Sequence, residues 1–182
     1  MMRVLEEIQQ SDLPLKWADL KKYRNSDSFR KEIYLTDDSD IVEGLIILFQ
    51  TLFGKPKKDL LVYDKSWWNF CLDTWNIHTD QYDYDPDTKS KETQEYLKML
   101  KASYIELGYS GCCKCNDWNT YLVIILKCIV SHQAPYSPIF FDEVNDFFFY
   151  FHHSGSIGLY YKIENETIKN ILENASKEYD IK

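Results

Sequence analysis

The densest group of nucleophilic and metal-ligating side chains is the run CCKC at residues 112–115. A structural zinc site needs four ligands, usually from two closely spaced pairs. The outer two cysteines of the run supply one pair, but Cys71, Cys128 and the histidines lie at no motif spacing that would supply the second. A reactive thiol beside Lys114, with a histidine as base, is a further alternative. Buried or loop thiols are the simplest interpretation, and the sequence leaves open whether this loop binds a metal.

Asp83, Asp85 and Asp87 have the spacing of the first ligands of a calcium-binding loop. The remainder of that pattern is missing, because Thr88 stands where the loop needs glycine and Gln94 where it needs a bidentate glutamate. We therefore interpret this segment as an acidic surface loop.

His152 and His153 are the only adjacent pair of histidines. Neighbouring residues of a strand point to opposite faces, so the two rings are poorly placed to share a metal. The sequence also has no P-loop, GxGxxG, GxSxG or HExxH motif. We therefore expect no catalytic residue, no cofactor and no resident metal, and we do not predict an enzyme.

The charge distribution indicates a binding surface. A formal net charge of -8 disfavours a nucleic-acid ligand and favours rapid encounter with a basic protein. Two stretches, Lys65 to Lys89 and Lys127 to Lys162, contain no Lys or Arg between their ends and combine acidic with aromatic side chains. Solvated loops would explain either stretch alone, whereas both together favour an acidic interaction face. The residues predicted to contact the partner are Asp80, Tyr82, Asp83, Tyr84, Asp85, Asp87, Tyr136, Asp142, Glu143 and Asp146.

A hairpin at residues 147–163 is the element around which the other segments must be arranged. Two apolar runs flank a Ser-Gly-Ser break, which is typical of two strands joined by a tight turn. Alternation puts Phe147, Phe149 and Phe151 on one face and Phe148, Tyr150 and His152 on the other. A hairpin this apolar must be covered, and we expect helices on one face and a second layer or a partner on the other.

The remaining segments predict mainly helices. These are expected over parts of residues 1–35, from Asp40 to Phe53, over about 66–75, over about 90–107, over 118–132 with a buried strand as the alternative, and after an Asn165 cap. Residues 108–117 read as a loop, 139–141 as a third strand, and 60–63 as a strand or the approach to a helix. The sequence therefore predicts a mostly helical α+β fold, a single globular domain over residues 1–182, with a small antiparallel sheet (the hairpin at about 147–163) packed on helices.

The chain shows no targeting signal. Its N-terminus lacks the apolar stretch of a secretory signal, and its longest apolar run, Tyr121 to Val130, is short and interrupted by Lys127. We therefore expect a cytoplasmic protein that does not bind membranes, with its five cysteines as reduced thiols.

An acidic domain without catalytic motifs, rich in aromatic residues and carrying the segment NDFFFYFHHSGSIGLYYK (residues 145–162), resembles the small immunity proteins of bacterial toxin systems, including contact-dependent growth inhibition. The resemblance implies that the chain binds and neutralises a cognate basic toxin, such as a cationic nuclease domain, through an acidic, aromatic surface. Two other functions stay open: a hydrolase or transferase that uses a Cys/His site, and a helical adaptor for an unrelated basic protein.

Overall fold

The computed structural model describes residues 3–37, 39–54 and 56–182. Its strands are β1 (Leu5–Glu7), β2 (Phe29–Tyr34), β3 (Leu61–Asp64), β4 (Trp75–Asn76), β5 (Gln81–Tyr82), β6 (Gly111–Cys115), β7 (Ile139–Asp142), β8 (Phe147–His152), β9 (Ser156–Tyr161) and β10 (Asp180–Ile181). Its α-helices are α1 (Ile41–Phe53), α2 (Lys91–Ser103), α3 (Trp118–Val130) and α4 (Glu166–Glu178). Eight strands form one sheet in the order β1-β6-β3-β7-β8-β9-β2-β10, and β4 and β5 form a separate two-stranded sheet.

Each α-helix begins at a side chain that caps it. The carboxylates of Asp40 and Asp117 accept the backbone N–H groups of the third residue of α1 and α3, at 3.0 and 3.1 Å. The Asn165 amide oxygen does the same for α4, at 3.0 Å, and the Ser90 hydroxyl for α2, at 3.2 Å. These bonds satisfy amides that the first helical turn leaves without partners. The predicted helices beginning at Asp40, at residues 116–118 and after Asn165 are confirmed.

The central hairpin is also confirmed. β8 and β9 pair antiparallel, with Phe149 opposite Leu159. Phe147, Phe149 and Phe151 pack with the helices, and the Phe53 and Phe149 rings stack with their centroids 3.9 Å apart. The opposite face is covered by the segment at residues 8–28, where the Trp17 ring stacks on Phe148 at 5.5 Å.

The prediction of a mostly helical fold with a small sheet is wrong, because the dominant element is an eight-stranded antiparallel sheet. Two segments account for most of the error. Residues 29–34, read as helical because Phe29 and Ile33 are four apart, form β2 beside β9. The predicted loop at 108–117 contains β6, which pairs with both β1 and β3. A spacing of four places two residues on one face of a strand as well as of a helix, so the pattern alone did not discriminate.

The predicted helix at residues 66–75 is wrong as well. Two short 3-10 turns, Trp67–Asn69 and Leu72–Thr74, occupy this segment and lead into β4. Trp67 and Trp68 are buried, and their indole N–H groups donate to the backbone oxygens of Gly111 and Glu106, at 2.9 and 2.8 Å. These contacts tie the segment to the chain that enters β6, and a continuous helix is not formed.

Candidate functional site

The small sheet of β4 and β5 carries an exposed apolar surface. Trp75 lies opposite Tyr82 in the ladder, and the two rings contact edge to face at 4.8 Å. Trp75 is 41% exposed, Tyr82 49% and Ile77, in the connecting turn, 79%. The hairpin is held against the protein by its neighbours, because the Leu72 N–H donates to the Gln133 carbonyl at 2.7 Å. The β4–β5 hairpin therefore exposes large apolar side chains to solvent while its backbone is held in place, which is typical of an interaction site.

Aspartates surround these apolar side chains. Asp80 lies in the hairpin turn, and Asp85 and Asp87 follow β5; all three are exposed. Among the described residues, none of the three carboxylates forms an ion pair. We define the hairpin surface as the exposed side chains of Trp75, Ile77, Asp80, Tyr82, Asp85 and Asp87.

Two other aspartates of this segment bond within the protein, as does Asp85, whose Oδ1 accepts the Asp87 N–H at 3.1 Å. Asp83 accepts a hydrogen bond from the Lys89 ammonium at 2.8 Å, which lowers the pKa of Asp83 to about 2. The positive charge of Lys89 is balanced by Asp83, and its side chain is only 5% exposed. Lys89 therefore presents no positive charge to solvent beside the exposed aspartates. Asp73 accepts from the Ser90 N–H and the Thr93 hydroxyl at the start of α2. Asp83 was predicted as a partner contact; the structure gives its carboxylate an internal partner.

The acidic residues of the second stretch lie at the turn between β7 and β8. Asp142 is buried and accepts both the backbone N–H and the side-chain N–H of Asn145, at 2.9 and 2.7 Å. Asp146 accepts the Trp17 indole N–H at 2.6 Å. Glu143 is exposed. Of these three predicted contact residues, Asp142 stabilises the turn, Asp146 joins the turn to Trp17, and Glu143 faces solvent.

The hairpin surface and the acidic turn at residues 142–146 lie at opposite ends of the large sheet. β3 and β7 are antiparallel, with Tyr63 opposite Ile139. The chain leaves β3 at the end where β7 begins. Leu72, between β3 and the hairpin, is bonded there to Gln133, which precedes β7. The turn at residues 142–146 lies where β7 ends. The two stretches therefore do not form one face.

The two remaining predicted tyrosines are half-buried. The Tyr84 hydroxyl donates to the Asn69 side chain at 2.7 Å, and its ring contacts Trp68. Tyr136 packs edge-on against Phe70, and the Lys65 ammonium lies 5.7 Å from its ring centroid. Both rings support the segment beneath the hairpin surface and are not part of it.

Tyr136 also borders a pocket of about 290 Å³ that includes Asp64, at the end of β3. The Asp64 Oδ1 accepts the Ser66 N–H at 2.8 Å, whereas the Oδ2 has no hydrogen-bond partner among the described residues. Burial raises the pKa of this carboxyl to about 6, because the charged form loses its hydration. Asp64 was not singled out in the sequence, since a lone Asp after an apolar run carries no distinctive pattern.

The CCKC run lies on β6 and not in a loop. Its three cysteines are buried, and burial raises the pKa of Cys112 and of Cys115 to about 12 and that of Cys113 further. A thiol reacts and binds metal as the thiolate, which this environment disfavours. The part of the chain that the structure describes contains no cluster of three or more His, Cys, Asp or Glu arranged to hold a metal ion.

Trp75 and Ile77 are the hairpin-surface residues that the sequence did not assign, because Trp75 was placed at the end of the helix predicted over residues 66–75. Asn76, Thr79 and Asp80 are turn-forming types between Trp75 and Tyr82, and this signal predicts a short hairpin. A hairpin of two-residue strands is too small to bury both of its faces, so exposed rings follow from it.

Comparisons with protein-family models, with curated proteins and with solved structures returned no match for this chain. Within the described residues, every helix falls short of the length and apolar character that crossing a bilayer requires. Any function must therefore be argued from the surfaces described above.

Proposed function

We propose that this chain is a cytoplasmic immunity protein, which binds a cognate basic toxin through the hairpin surface and blocks it without chemistry. The observation that carries the proposal is the combination of exposed Trp75, Ile77 and Tyr82 with three aspartates that have no internal ion pair among the described residues. Such a surface buries large rings against a partner and presents negative charge around them.

The charge supports a basic partner. From residue 66 to residue 88 the chain has no Lys or Arg, and Lys89, the cation that follows this stretch, is turned inward to Asp83. A cationic active-site cleft, such as that of a nuclease domain, has the complementary charge. Its phosphate-binding side chains can form ion pairs with aspartates instead of phosphate. Charge complementarity would accelerate association, and desolvation of the rings would slow dissociation.

The test uses the toxin domain encoded directly upstream of this chain's gene, mixed with the purified protein. Asp80→Lys/Asp85→Lys/Asp87→Lys should lower the association rate constant by about tenfold or more at low salt, because electrostatic steering contributes on that order. Trp75→Ala/Tyr82→Ala should mainly raise the dissociation rate. The matched control is Glu6→Lys/Glu173→Lys/Glu178→Lys, which makes the same change in net charge at exposed sites on β1 and α4.

Equal effects of the acidic triple variant and its control would contradict the proposal, since only net charge would then matter. Absence of a toxin gene beside this one would contradict the immunity assignment. The hairpin surface would then be the binding site of an adaptor for another basic protein. Growth of cells expressing the toxin provides the functional readout: the wild-type chain should restore it, and the Trp75→Ala/Tyr82→Ala variant should restore it less.

A further inference from the structure

A groove of about 510 Å³ lies on the face of the large sheet that α1–α4 leave uncovered. Its floor is formed by β2, β8 and β9, and its wall by the 3-10 turn at Tyr23–Asn25. A concave site of this volume is in the range that holds small organic ligands.

The groove is basic although the chain is acidic. Lys22, Arg24 and Arg30 line it. Its single lining carboxylate in the described part of the chain, Glu32, is already neutralised: one oxygen accepts from Arg30 at 3.1 Å and the other from the Ser156 hydroxyl at 2.6 Å. Lys22 and Arg24 are exposed, and neither side chain forms an ion pair among the described residues. An anion entering the groove would therefore meet uncompensated positive charge.

Aromatic rings line the same groove. Tyr34 and Tyr150 are half-buried, and the Tyr23 ring packs against Tyr150 at 5.1 Å. The Tyr150 ring lies over Gly158 of the neighbouring strand, where an added Cβ would come within 2.6 Å of the ring. The lack of a side chain at residue 158 thus lets this ring lie close to the sheet. The Lys182 ammonium lies over the Tyr34 ring, 4.8 Å from its centroid, so a planar heteroaromatic ring would displace it in order to stack there.

We propose that this groove binds a nucleoside di- or triphosphate, with its base against the Tyr34 and Tyr150 rings and its phosphates at Lys22 and Arg24. Guanidinium groups donate paired hydrogen bonds to phosphate oxygens, and the stacking rings suit a base. The net charge of -8 disfavours a long polyanion, since its remainder would lie along acidic surface. A single nucleotide confines its charge to the basic groove.

Calorimetric titration of the full chain with ADP, adenosine, inorganic pyrophosphate and a ten-nucleotide oligothymidine tests the proposal. ADP should bind more tightly than adenosine or pyrophosphate, because only ADP uses both the rings and the cations. Lys22→Glu/Arg24→Glu should weaken ADP binding by about tenfold or more, as loss of charge-assisted contacts does. The control Lys98→Glu/Lys169→Glu makes the same charge change at exposed sites on α2 and α4 and should leave the affinity within about twofold.

Gly158→Ala keeps every charge and displaces the Tyr150 ring, so it should weaken ADP binding while leaving pyrophosphate binding unchanged. No heat with millimolar ADP would overturn the proposal, and so would equal losses in the groove and control variants. Tighter binding of the oligothymidine than of ADP, lost in Lys22→Glu/Arg24→Glu, would also overturn it, in favour of single-stranded nucleic acid. None of these outcomes depends on the hairpin surface.

Discussion

Replacing Asp64 with asparagine should change how the stability of this protein depends on pH. Asp64 is buried, its Oδ2 has no hydrogen-bond partner among the described residues, and its pKa is raised from 3.8 to about 6. Because the folded state holds this proton more tightly than the unfolded state, stability is greatest below the unfolded pKa. It falls as the pH rises from about 4 to about 6.

The size of the effect follows from the pKa change. The folded pKa is about two pH units above 3.8, and each unit is worth about 1.4 kcal/mol, so ionisation of Asp64 costs about 3 kcal/mol of the free energy of unfolding. Asparagine has nearly the same shape and keeps an oxygen for the Ser66 N–H, but it does not ionise. The wild-type protein should therefore lose about 3 kcal/mol relative to Asp64→Asn between about pH 4 and pH 7.

Urea unfolding followed by tryptophan fluorescence at a series of pH values measures this difference directly. Asp59→Asn, at an exposed site near the start of β3, is the control for removing a carboxylate. If the difference between wild type and Asp64→Asn stays constant with pH, or grows in favour of wild type as the pH rises, the account of Asp64 as a costly buried carboxylate is wrong.

Three further predictions concern other contacts. In Lys89→Ala the pKa of Asp83 should rise from about 2 toward 3.8, as followed by carboxyl NMR. Ionised Asp83 stabilises the folded state above the unfolded pKa, and this contribution shrinks as the folded pKa approaches 3.8, so Lys89→Ala should lose less stability on acidification than wild type. An unchanged midpoint would show that Lys89 is not the cause. Phe149→Ala, which removes the ring stacked on α1, should lower the free energy of unfolding by about 3–5 kcal/mol, whereas Val144→Ala in an exposed turn should stay within about 0.5 kcal/mol in the same urea titration. The buried Cys112 thiol, with its pKa raised to about 12, should react slowly with a maleimide near neutral pH until urea is added, and prompt labelling of the folded chain would contradict its burial.

Elements defined by local signals were predictable. Asp40 with Glu43 marks the start of α1, and Asn165 marks the start of α4, because a cap bonds an amide only three residues away. The alternation of residues 147–152 likewise assigned each phenylalanine to its observed face. Because successive side chains of a strand point to opposite faces, knowing that a segment is a strand is enough to divide its residues between the two faces.

Strands with distant partners were not predictable in the same way. β1 pairs Leu5 with Cys115, and β2 pairs Ile33 with Ile157. Neither strand has a partner close in sequence, and each is short or ambiguous in its periodicity. Both segments become strands because they form backbone hydrogen bonds with strands far away in the sequence. These tertiary contacts outweigh the local conformational preferences of the two segments.

The sequence by itself determined the starts of α1, α3 and α4, the central hairpin and the amount of charge, because capping and alternation act over a few residues and charge is a sum. Only the tertiary structure decided where the charge lies. It drew Lys22, Arg24 and Arg30 into one groove and turned Asp83 inward to Lys89. It also placed the acidic turn after β7 at the opposite end of the sheet from the hairpin surface. Strand pairing brings together residues more than a hundred positions apart, and no pattern along the chain encodes which faces those pairings leave in water.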